Sequence, residues 1–138
     1  MRFPKSRIIW ALSMTGALAG AASAHHSFSA EFDAAKPITV NGVITKARLV
    51  NPHSWVYLDV KNKDGSVTNW GFEFSTPAGL REKGLGKEDL LPGTAIRIDG
   101  YRAKNGGPFG YSRLATLAGG RAIQTGGAMD APAPAAAR

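Results

Sequence analysis

The sequence predicts a mainly β domain: a small five-stranded barrel with one short helix between strands three and four. Three observations carry this. Apolar side chains alternate with polar ones through several short segments, as in Trp70, Phe72 and Phe74. Turn formers separate those segments at Asn51-Pro52, Asp64-Gly65, Pro92-Gly93 and Asn105-Gly106-Gly107-Pro108. Helix start and stop signals occur together only between Thr76 and Gly84. Period-two alternation bounded by Gly, Pro, Asn and Asp is the signature of strands and their turns.

Ile38, Val40, Val43, Ile44, Leu49 and Val50 mark a long first strand. Asn41-Gly42 within it predicts a bulge or bend. Asn51-Pro52 ends it, and Trp55 to Val60 form the second strand. Lys63-Asp64-Gly65-Ser66 is a hairpin turn, since Asp-Gly readily supplies positive φ. The third strand holds Val67, Trp70, Phe72 and Phe74. Thr76 then caps a short helix with Pro77 in its first turn, and Gly84 stops it. Lys87 to Leu91 adds another helical turn. The fourth strand spans Ala95 to Ala103 and the fifth Tyr111 to Leu117, with a short sixth at Arg121 to Gln124. Three strands, a helix and two strands, with a long bent first strand, is the order of an OB-like barrel. An open β-sandwich is the competing arrangement.

The ends of the chain read differently. Arg2, Lys5 and Arg7 precede an apolar run of about 13 residues, Ile8 to Gly20, and Ala22-Ser23-Ala24 follows. Charged, apolar and small residues in that order predict a secretory signal peptide over residues 1–24. The run falls short of the ~20 residues a membrane-spanning helix needs. Cleavage after Ala24 would leave 114 of the 138 residues and remove three of 17 basic side chains, lowering the net charge from +7 to +4. Such a surface does not demand a polyanion, and nucleic acid is not expected as a partner. There is no cysteine, so disulfides and thiolate metal sites are excluded. No later apolar run reaches spanning length, so no membrane span is expected after cleavage. Residues 25–36 read as an N-terminal arm pinned by Phe28 and Phe32, too short for a free helix. Residues 37–125 read as the barrel, and 126–138, rich in Ala and Pro, as a disordered tail.

The chain has three histidines: His25, His26 and His53. After cleavage, His25 would offer its α-amine and one ring nitrogen to a single metal ion. A second imidazole would complete a T-shaped set of nitrogens, a histidine brace, which suits copper. His53, in the loop between strands one and two, is the better second ring. His26 is the weaker one, because adjacent residues of an extended arm point opposite ways. Asp33 in the arm, with Glu31 near it, and Glu73 on strand three could join such a site. Alternation places Glu73 on the face opposite Trp70, Phe72 and Phe74, where it could accept a histidine N–H. Mobile terminal histidines and a solvent-facing Glu73 are the plainer readings of the same residues. The aromatics that mix with Lys and Arg either fill the barrel or stack a ligand. No Gly-x-Ser-x-Gly elbow and no phosphate-binding loop is present.

His25-His26-Ser27-Phe28, Glu31-Phe32-Asp33, Lys36-Pro37-Ile38-Thr39, Gly42-Val43-Ile44-Thr45-Lys46, Asn51-Pro52-His53 and Leu91-Pro92-Gly93 together resemble a family of small exported proteins of unknown function from Gram-negative bacteria. The similarity runs from about His25 to Gln124. His25, His26, His53 and Glu73 match its pattern, whereas Leu49 and Leu85-Gly86 depart where relatives resemble Trp and Gly-Trp. The resemblance implies an envelope protein with an OB-like barrel and assigns no activity or ligand.

The expectation is therefore a periplasmic domain that binds rather than catalyses. Its leading form is copper held by His25 and His53, with His26, Glu73 or Asp33 in support, for buffering or delivery. The alternative is a metal-free envelope module for a glycan, a peptide or a partner protein.

Overall fold

A computed structural model describes residues 27–133. The proposed signal segment, His25, His26 and residues 134–138 lie outside the described residues. The described chain is mainly β. The strands are β1 (Phe32–Arg48), β2 (Ser54–Lys61), β3 (Val67–Phe74), β4 (Ala95–Ala103), β5 (Phe109–Leu117) and β6 (Ala122–Gln124). One helical turn, α1 (Phe28–Glu31), precedes them, and α2 (Pro77–Glu82) with a 3-10 turn (Lys87–Leu90) connects β3 to β4.

Strand β1 pairs antiparallel with both β2 and β4, and β4 pairs antiparallel with β5. The ring closes where β3 meets β5 in parallel, through Gly71 with Phe109, Phe72 with Gly110 and Glu73 with Tyr111. The closed order β1-β2-β3-β5-β4, with a helix between β3 and β4, is the arrangement the element order predicts. Closure leaves no long free edge among these strands. The short β6 continues on β5.

The length and bend of β1 make this possible. It serves β4 from Phe32 to Val43 and β2 from Val43 to Arg48. The register slip on the β2 side falls near Thr45 rather than at Asn41-Gly42. Gly42 answers a different need: a Cβ there would lie 2.6 Å from the Asp59 carbonyl oxygen. The turn at Asp64-Gly65 forms as expected, with Gly65 at φ +87° and Asp64 Oδ1 accepting from the Ser66 amide at 3.0 Å. Thr76 caps α2, its Oγ1 accepting from the Gly79 amide at 3.1 Å.

Inside the ring, Val56, Leu58, Phe72, Phe74, Ile44, Ile98 and Ala115 form a buried core that Leu80, Leu85 and Leu90 of the connecting segment complete. A second apolar cluster gathers Phe28, Phe32, Ala103 and Tyr111, with Tyr101, Ala128 and Ala131 against them. It joins the two segments read as arm and tail to β4 and β5.

Phe28 and Phe32 pin the arm as expected, but its boundary with the sheet and the placement of residues 126–133 depart from the expectation. The arm is not free of the sheet, because β1 begins at Phe32, which pairs with Ala103. Phe28 to Glu31 makes a helical turn that local propensity would not sustain. Its leading amides are satisfied by a residue about 100 positions later: Asp130 accepts from Phe28 N at 3.0 Å and Ser29 N at 2.9 Å. Residues 126–133 are correspondingly placed against the domain. Gly127 N and Ala128 N donate to the Tyr111 hydroxyl at 2.9 and 3.0 Å, and Lys83 Nζ donates to the Gly126 carbonyl at 2.9 Å. Composition alone does not reveal such partners, since each lies far away in sequence.

Candidate functional site

His53 follows a cis Asn51–Pro52 bond and immediately precedes β2. The β2–β3 register sets Ser54 opposite Phe74 and Trp55 opposite Glu73. His53 therefore stands at the end of the ladder, one residue beyond Ser54. Its Nδ1 is in hydrogen-bond contact with Glu73 Oε1. With Nδ1 engaged by the carboxylate, Nε2 is the ring nitrogen left to meet a ligand. The His53 side chain is 24% exposed, whereas that of Glu73 is 8% exposed. The pair thus has a buried anchor and an accessible imidazole edge. Alternation correctly puts Glu73 opposite the core-facing Phe72 and Phe74, but the residue is buried rather than solvated.

Pro52, His53 and Glu73 line two cavities. The first, about 500 Å³, is also lined by Phe74, Ser75, Thr76 and Tyr111, by Ser27 from the N-terminal end, and by Gly127 to Asp130. The second, about 380 Å³, is completed by Glu31, Arg48, Val50, Asn51 and Trp55. Ser27 is the first described residue, so the arm leads to the His53 end of the domain. The ring contacts explain why. Phe28 packs edge-on against Tyr111 at 5.0 Å and Tyr101 at 5.4 Å, and Phe32 lies 5.6 Å from Tyr111. Asp130 then fixes the backbone of the turn. Its carboxyl is held below the usual range, chiefly by the Ser29 amide; desolvation opposes this, and the Ser29 hydroxyl and Phe28 amide add to the lowering.

The structure brings together some of the residues the sequence singles out. His53 and Glu73 meet directly. Asp33 does not join them, because it lines neither cavity. Phe32 turns inward to Tyr111, so the next side chain on the strand faces away. Asp33 instead accepts from the Ala35 amide at 3.0 Å and lies 3.5 Å from Lys36 Nζ. Glu31 is the arm carboxylate that lines a cavity with His53. His25 and His26 lie outside the described residues. Among the described residues no three His, Cys, Asp or Glu side chains gather into a metal-holding group.

Sequence reasoning missed Met129 and Asp130, which line the larger cavity, and counted Tyr111 only among the aromatics that fill the barrel or stack a ligand. A lone carboxylate in an Ala- and Pro-rich stretch was the available signal for Asp130. Burial pushes the Tyr111 hydroxyl up from its ordinary value, despite the two amides that favour its ionised form. Among the described residues no helix is long and apolar enough to cross a membrane.

The geometry is that of a small β-ring domain whose two end segments converge beside an accessible histidine. By sequence the chain belongs to a Family of unknown function (DUF6152), matched over residues 14–112. That span includes α1 and the His53–Glu73 pair, and stops within β5. No curated protein and no solved structure matches the chain.

Proposed function

We propose that the protein is an exported, periplasmic copper-binding protein that buffers or delivers the ion and does not catalyse a reaction. Cleavage after Ala24 would free the amine of His25, which with its own imidazole gives two nitrogen donors. His53 Nε2 would supply the third. The observation that carries this reading is the position of Ser27, which lines the same cavity as His53 and Glu73. His25 is two residues upstream, and two residues of chain reach at most about 7 Å. His26 is the alternative second ring.

The donor set fits the metal. Cu(II) prefers square or tetragonal arrangements of nitrogen and oxygen, and imidazole is among its usual ligands. Glu73 would act through His53 rather than on the ion: its carboxylate orients the ring and raises the basicity of the far nitrogen. Bound copper would supply a Lewis-acidic centre, and the chain's part is to hold it between two segments of the fold.

Intact-mass measurement of the secreted protein should show loss of residues 1–24. Cu(II) titration by calorimetry and EPR should then give one tight site with nitrogen hyperfine structure. An extra alanine before His25 should weaken binding strongly, because the amine then leaves the chelate. His53→Ala should change the spectrum. If both changes leave titration and spectrum as they were, the brace is refuted and the metal-free envelope module is the reading left standing.

A further inference from the structure

Alternation along β2 sends Ser54, Val56 and Leu58 into the ring and leaves Trp55 and Tyr57 on its outer face. Neither aromatic belongs to either apolar cluster. Each is nevertheless half-buried, and their rings lie nearly parallel, 6.4 Å apart between centroids and inclined by 24°. Strand register sets the neighbours. Trp55 has Arg48 on one side and Glu73 on the other, while Tyr57 has Lys46 and Gly71. A Cβ at Gly71 would come within 3.2 Å of the Tyr57 ring and 2.9 Å of the Phe109 ring. The two rings therefore close over Gly71, and the aromatic surface extends to Phe109, which is 40% exposed. At its other end Trp55 walls the cavity of about 380 Å³ that holds Arg48, Asn51 and Glu31.

We propose that this outer cleft is a binding site for a neutral oligosaccharide, with one pyranose ring seated on Trp55. A pyranose has an apolar C–H face and a rim of hydroxyls. The face matches the open side of a half-buried indole, and the rim needs convergent polar side chains around an otherwise apolar surface. Arg48 and Asn51 are exposed, and no other described residue hydrogen-bonds their side chains, so their donors are directed to solvent or ligand. The charge in the cleft is mixed: Glu31 and Glu73 stand with Arg48. A nucleic-acid backbone calls for concentrated positive charge, which this cleft lacks. Hydroxyls accept from a guanidinium and donate to a carboxylate, so they suit both signs. The site does not depend on the copper reading, because Trp55, Tyr57 and Arg48 need no metal to present these groups.

The test uses protein purified from cells expressing the full chain, once stripped of metal and once loaded with copper. Cello-, chito- and maltotetraose are titrated separately, following tryptophan fluorescence and heat, with a single-stranded oligothymidylate as comparison. At least one tetrasaccharide should bind saturably in both metal states. Trp55→Ala should weaken it by about tenfold and Tyr57→Ala by about threefold, the scale of one aromatic contact. Trp55→Phe should retain most of the affinity, and all three variants should keep the thermal midpoint, since these rings lie outside the core. Failure of all three sugars to saturate overturns the proposal. So does unchanged affinity in Trp55→Ala, or a Trp55-dependent preference for the oligothymidylate. Loss of copper binding with sugar binding intact would sink the copper reading alone.

Discussion

Replacing Tyr111 by phenylalanine isolates a single atom that ties the C-terminal segment to the ring. The hydroxyl accepts from Gly127 N and Ala128 N, at 2.9 and 3.0 Å. The phenyl ring would keep its contacts with Phe28 and Phe32, at 5.0 and 5.6 Å, so packing is conserved. A neutral hydrogen bond contributes about 0.5–1.5 kcal/mol net, giving roughly 1–3 kcal/mol for two. Gly127 is exposed, so its amide can turn to water, which favours the lower half of that range. A loss of about 1–1.5 kcal/mol corresponds to a fall in melting temperature on the order of 5–10 °C for a domain of this size. Amide exchange at Gly127 and Ala128 should accelerate about five- to tenfold, while core amides of β2 shift only with global stability. The alkaline limb carries an independent signature. The folded hydroxyl ionises above its ordinary value, so the unfolded chain loses its proton first as pH rises past 10. The wild type should then lose stability from that point up to the folded value, and Tyr111→Phe should lose less there. Exchange at Gly127 and Ala128 that stays at the wild-type rate in a folded variant would refute the role given to the hydroxyl.

Leu58 is fully buried at the centre of the ring, so Leu58→Ala should cost about 2–5 kcal/mol in chemical denaturation, and a cost under about 1 kcal/mol would contradict the core assignment. Glu73→Ala should leave His53 unanchored and lower Cu(II) affinity by about 10- to 100-fold, read by calorimetry, if the copper reading holds. At low pH the order of events is set by carboxyls held below their ordinary value. Asp64 is held there by the Ser66 side chain and amide, and Asp130 by the Ser29 amide. At Asp99 burial works against the shift, but hydrogen bonds from Arg97 and Thr39 together outweigh it. Their stabilisation is complete above 3.8 and is lost as pH falls through the lower folded values, so a melting series should decline only below about pH 4.

The ring was legible because its information is local. Trp70, Phe72 and Phe74 declare their face by spacing, Asp64-Gly65 declares a turn, and Thr76-Pro77 declares a helix start. Ala34-Ala35-Lys36-Pro37 shows no alternation, so the start of β1 before Ile38 was hidden; its pairing comes from β4, some 60 residues away. The contact between Glu73 and His53 was half legible. Alternation gave the face of Glu73, and the turn-forming Asn51-Pro52 gave the loop of His53, but only strand register brings them together. Asp33 was misplaced for the same reason, since the neighbouring Phe32 decides which way the strand turns. The packing of residues 126–133 had no local signal beyond one acidic side chain.

Asp130 and Phe28 are 102 positions apart, yet one closes the turn that begins with the other. Synthesis proceeds from the amino end. The leading turn must therefore wait, unlatched, until the segment that bears Asp130 has emerged. A product broken off before Asp130 would retain every strand of the ring and lose the clasp on its head, so a later-made segment decides when an earlier-made one comes to rest beside His53.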